Sequence, residues 1–153
     1  MFRKEIRTEI DILASADVIW EILTDFPSYK KWNPFILYAR GELEEGSHFE
    51  VYLQPSGRKG MTFKPVWTAV NPPNELRWLE FLGPPGLLDG EHYFLLEEKG
   101  AGVIRFVQGE IFKGVLVPFL PNSLKKGTLR GFRDMNRALK KKAETVKSQT
   151  DTE

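Results

Sequence analysis

The 153-residue chain contains no cysteine and only two histidines. The first absence excludes disulfides, thiolate metal sites and a cysteine nucleophile. The second leaves His48 and His92 as the only imidazoles, far apart and with no HxxxH spacing, so no metal site and no cofactor is expected. An excess of one charge is also missing: 22 Lys and Arg face 21 Asp and Glu. A net charge of +1 gives no long-range field for nucleic acid, and none is expected as a partner. No apolar run approaches the ~20 residues that span a bilayer, so stable membrane insertion is not expected. The N-terminal MFRKEIRTEIDIL alternates charge instead of placing a basic segment before an apolar one, which does not read as a leader. A nucleophile elbow, a P-loop and a dinucleotide fingerprint are all lacking. The expectation is one cytoplasmic domain over residues 1–147, a flexible tail at 148–153, and a monomer or weak homodimer.

Aromatic residues are plentiful, with 11 Phe, 4 Trp and 4 Tyr. Arg3 to Ile12 alternates with a period of two, which predicts a strand with one wet face. Ser15 is placed as an N-cap with Asp17 in the first turn, opening an amphipathic helix with Val18, Ile22 and Leu23 inward. Pro27 restarts a second short helix that ends at Trp32-Asn33-Pro34. Strand-like runs follow at Ile36–Glu42, Phe49–Gln54, Met61–Val70, Glu75–Leu82, Glu91–Glu98 and Val103–Phe112. Short Gly/Pro-rich separators join them, as antiparallel neighbours require. The chain closes with a helix from Asn122 or Ser123 to about Lys147. Its apolar stripe is Leu124, Thr128, Phe132, Met135, Leu139, Ala143 and Val146, and its other side is basic. Gly127 and Gly131 interrupt this helix, and a glycine there suggests a close approach to its backbone.

Taking the charged positions as the outer face, the inner face carries Phe63, Trp67, Trp78, Phe94, Phe106 and Phe112. It also carries Glu80, His92, Gln108 and Glu110, which are expected to form one polar cluster in an apolar chamber. Buried ionisable groups are costly unless paired, so the cluster is either a satisfied network or the wall of a wet cavity. A carboxylate beside an imidazole makes His92 and Glu110 the candidate proton-transfer pair. Trp32, Phe63, Trp67, Trp78, Glu80, Phe94, Phe106, Gln108, Phe112, Thr128, Phe132 and Met135 are the candidate ligand-binding residues. A basic helix face and the loop from Gly83 to Leu88 could instead serve a protein partner.

The strings ADVIWEILTDFPSYKKWNPF at 16–35, GEHYFLLE at 90–97, GEIFKGVLVP at 109–118 and GFRDMNRALKKKAE at 131–144 resemble the START-like superfamily. The likeness is to its bacterial SRPBCC branch, of polyketide cyclase/dehydrase type, and covers essentially the whole chain. It implies an α+β helix-grip fold: a strongly curved seven-stranded antiparallel sheet wrapped around the C-terminal helix, with two short helices between the first two strands. It also implies an internal site for a hydrophobic or aromatic small molecule, lipid-like or polyketide-like. The alternative it offers is a cofactor-free cyclase or dehydratase using His92 and Glu110. Members vary from binding proteins to enzymes, so a binding protein is the first expectation.

Overall fold

The computed structural model describes residues 2–55 and 57–152, with side chains described as far as Val146. Strand β1 (Arg3–Ile12) leads into helix α1 (Ala16–Thr24), a 3₁₀ turn at Phe26–Ser28 and the single-turn helix α2 (Tyr29–Trp32). Strands β2 (Ile36–Arg40), β3 (Glu50–Leu53), β4 (Met61–Phe63), β5 (Val66–Asn71), β6 (Glu75–Phe81), β7 (Asp89–Gly100) and β8 (Val103–Lys113) follow. Helix α3 (Asn122–Thr152) ends the chain. The expected tail at 148–153 falls where side chains lie outside the described residues, as Glu153 does entirely.

The single strongly curved seven-stranded sheet is corrected by the pairing. Among the described residues eight strands form two sheets, a five-stranded one in the order β1-β8-β7-β6-β5 and a three-stranded one in the order β2-β3-β4. The cause lies within the run Met61–Val70. Pro65 has no N–H to give a ladder and restricts Lys64 before it, so the run breaks into β4 and β5. Beyond that break β5 joins the larger sheet, and the isolated bridge between His48 and Val66 lies beside the step.

Local signals act where the sequence places them. Ser15 Oγ accepts from the Val18 N–H at 3.2 Å, capping α1. Buried Asn33 ends α2 and aims β2, its Oδ1 accepting from the backbone N–H of Phe35 and Ile36 at 3.0 and 2.9 Å. Helix α3 packs its stripe of Phe132, Met135, Leu139 and Ala143 into the core, against β1, β8 and α1. Lys140 and Glu144 tie its far half to the end of β1, through Asp11 O at 2.7 Å and Leu13 N at 2.9 Å. Gly131 is the point of closest approach: a Cβ there would stand 2.4 Å from the Phe35 ring. Gly127 is different, with ordinary spacing to Arg58 and Pro55.

Candidate functional site

The inward faces of β6, β7 and β8 follow the pattern of the sequence. Leu76, Trp78 and Glu80, His92 and Phe94, and Phe106, Gln108, Glu110 and Phe112 are all buried. Register then sets neighbours: Trp78 opposes His92, Glu80 opposes Gly90, His92 opposes Glu110 and Phe94 opposes Gln108.

These side chains do not line one open chamber. The centre of the molecule is packed solid by Trp67, Trp78, Phe94, Phe106, Phe132 and Met135, each almost completely buried. Trp67 stacks on Phe49 with 4.0 Å between ring centroids, and Trp78 stacks on His92 at 4.3 Å. The void left beside Trp67, Trp78 and Phe94 is about 10 Å³, room for one water at most.

A cavity of about 460 Å³ lies instead at one end, between the three-stranded sheet, the ends of β6 and β8 and the first turns of α3. Of the expected binding residues, Phe63, Glu80, Phe112 and Thr128 face it, and so does Glu110. Phe35, Leu53, Pro55, Met61, Leu82 and Leu124 complete its apolar wall, with Arg58 and Lys59 exposed at the mouth. None of these last residues was singled out from the sequence for this role. Leu53, Pro55, Arg58, Lys59 and Met61 belong to the β3–β4 hairpin, and Gly127 of α3, facing Arg58 and Pro55, points toward it. Trp32 lies elsewhere, in a surface cleft with Lys142 and Val146.

The expected polar cluster divides into two. His92 Nε2–H donates to Gln108 Oε1 at 2.9 Å, and Gln108 Nε2 donates to Asn136 Oδ1 at 2.8 Å. Asn136 Nδ2 donates to Thr8 Oγ1 at 2.8 Å, whose hydroxyl donates to the Gln108 carbonyl at 2.8 Å. This closed chain joins β1, β7, β8 and α3 and keeps His92 as the neutral imidazole. Burial lowers the His92 pKa to about 3, against a smaller raising effect of the Gln108 bond. Asn136 is legible only in hindsight, as the polar residue one turn after Phe132 on the buried side of α3.

The second cluster is Glu80 and Glu110. They come together over Gly90, where a Cβ would stand 2.9 Å from Glu110 Oε1 and 3.7 Å from Glu80 Cγ. Among the described residues neither carboxyl forms an ion pair, and the buried Glu80 Oε2 has no hydrogen-bond partner. Burial pushes Glu80 up to about 7. Glu110 is held well above the carboxylate range by burial first and by the Glu80 charge second. Two buried carboxyls this close hold on to a proton at neutral pH, so the pair offers both a donor and an acceptor to whatever enters the cavity. Among the described residues no cluster of three or more His, Asp or Glu could hold a metal ion. No described helix is long and apolar enough to cross a membrane.

No curated protein matches the sequence. Solved structures match it over nearly its full length at low identity, which shows a shared fold. The Zhui aromatase/cyclase from a Streptomyces species superposes with a TM-score of 0.73 at 15% identity, covering 94% of both chains. A START superfamily protein from Mycobacterium smegmatis gives 0.70 at 18% identity, covering 93% of this chain and 98% of its own. Major latex-like protein 151 from Panax ginseng gives 0.72 at 13% identity, covering 92% and 97%. A family model described as polyketide cyclase/dehydrase and lipid transport matches residues 3–144. The chain therefore belongs to that family, within the START-like superfamily of helix-grip proteins.

Proposed function

We propose that this protein binds a hydrophobic or aromatic small molecule, lipid-like or polyketide-like, in the cavity beside α3. The observation that carries this reading is the cavity itself, about 460 Å³ with carbon walls and one buried polar pair. Its volume lies within the ~300–1,000 Å³ usual for small-molecule sites. Covering about 300 Å² of apolar ligand surface at about 25 cal/mol/Å² yields about 7 kcal/mol before the entropy of immobilisation. That places the expected dissociation constant near the micromolar range or weaker. The test is a melting-temperature screen of the purified protein against fatty acids, sterols and polycyclic aromatics, with native mass spectrometry of whatever co-purifies. Ligands that fit should raise the melting temperature by linkage. A screen in which no compound raises it, with no co-purifying mass, would leave the cavity as a packing feature only.

A cofactor-free cyclase or dehydratase is the second reading, favoured by the proton-holding carboxyls. Glu110 would keep the proton-transfer role expected of it and Glu80 would be its partner in the cavity. His92 enters this reading only through the strand it shares with Gly90, since its ring is engaged by Gln108. Glu110→Gln should abolish turnover while leaving ligand binding measurable.

A further inference from the structure

Two carboxyls face the inner end of an apolar cavity, and among the described residues no cation forms an ion pair with either. The surroundings sharpen this. The charged or titratable groups nearby are Arg58 and Lys59, exposed at the mouth, Lys4 on β1, exposed and opposite Phe112, and His92 on β7, which is neutral and bonded to Gln108. Of the described residues of helix α3, Leu124 and Thr128 line the cavity. Glu80 is 9% exposed, faces the cavity, and leaves Oε2 buried without a partner. Gly90 is what permits the arrangement, since any larger residue would push a Cβ against Glu110 Oε1. A buried carboxylate without a partner is costly, and a fixed cation in a low-dielectric site relieves that cost strongly.

The geometry points to a ligand that carries a protonated amine on its innermost end, seated between Glu80 and Glu110, with its apolar body against Phe63, Phe112 and Leu124. This rests on the cavity being a binding site and narrows what it takes. An ammonium group brings three donors, enough to serve oxygens of both carboxyls, whereas a hydroxyl brings one. A carboxylate would set its own negative charge against whatever charge the pair carries, and is disfavoured. Amine binding should also drive a proton off the pair, so affinity should rise from pH 6 to pH 8 while the amine itself stays charged.

The test is isothermal titration of the wild-type protein with n-octylamine, n-octanol and n-octanoate, in phosphate and in Tris buffer. The expected result is n-octylamine binding about tenfold or more tighter than n-octanol, n-octanoate weakest, and heats that differ between the buffers because a proton is released. In the E80Q/E110Q variant the ratio of amine to alcohol affinity should fall to near one. Equal binding of amine and alcohol by the wild-type protein overturns the inference while leaving the cavity reading intact. An amine preference that survives in the double variant overturns it as well, because the cation is then held elsewhere. Binding of none of the three probes overturns the cavity reading along with it.

Discussion

The two polar clusters stand two residues apart along β7 and β8, at His92 and Gly90 and at Gln108 and Glu110, yet their surroundings are opposite. Around Gln108 every donor in the chain meets an acceptor, four elements are stitched together, and aromatic rings close over the top. Around Gly90 two acids crowd one another, one oxygen is left unpaired, and open space lies in front of them. A satisfied buried network rigidifies a core, whereas an unsatisfied one beside a cavity stores an unmet demand that a ligand can answer. Identical inward-facing positions in one sheet thus divide into a structural end and a receptive end. What decides between them is whether aromatic volume fills the space above the strand.

Breaking the closed network should have the largest effect. Gln108→Leu strands the His92 donor and the Asn136 acceptor in the core, at about 1–3 kcal/mol for each unpaired group. A loss of about 4 kcal/mol is expected in urea unfolding.

The open pair should respond in the other direction. Glu80 has a folded value of about 7, above that of an unfolded glutamate. Its contribution to stability is therefore present below about pH 4.3 and is lost as pH rises through 7. Glu80→Gln should accordingly stabilise the protein by on the order of 3 kcal/mol at pH 8 and change little at pH 4. His92 has the opposite sign: with a folded value of about 3, its contribution is present at neutral pH and fades as pH falls below ~6.5. The two slopes oppose one another between about pH 4.3 and 6.5. Urea midpoints of the wild type and Glu80→Gln across pH 4 to 8 separate the two contributions.

Gly90→Ala sharpens the contrast with a smaller change. The new Cβ, 2.9 Å from Glu110 Oε1, moves that carboxyl away from Glu80 and lowers the Glu110 midpoint. Carboxyl carbon NMR titration should show that midpoint fall, with a stability change within about 2 kcal/mol. Smallest of all is Arg137→Ala on the outer face of α3. Its bridge to Asp134 is exposed, and a change under about 0.5 kcal/mol is expected by the same urea assay.

The alternation of Arg3–Ile12 and the inward faces of the last three strands were legible because period two survives any detail of packing. The register that sets His92 opposite Glu110 was not, since a shift of one residue leaves the composition unchanged. Pro65 held the information that the long run Met61–Val70 breaks between two sheets, but its Val- and aromatic-containing flanks hid it. The solid centre was hidden for another reason: a list of large aromatics does not tell whether they surround a space or fill it. Trp67 and Trp78 fill it, while Phe63 and Phe112 surround what is left. The meeting of Glu80 with Glu110 depends on Gly90, whose lack of a side chain matters only once three strands are aligned.

The most direct measurement of the receptive end is fluorescence titration with the neutral probe N-phenyl-1-naphthylamine, comparing the wild type with Thr128→Trp. Thr128 is buried on α3 and faces the cavity, so an indole there occupies the space while both helix and sheet remain. Saturable binding near one probe per chain is predicted for the wild type, and loss of that binding for the equally folded variant. Undiminished binding by the filled variant would contradict the assignment of the cavity as the binding site.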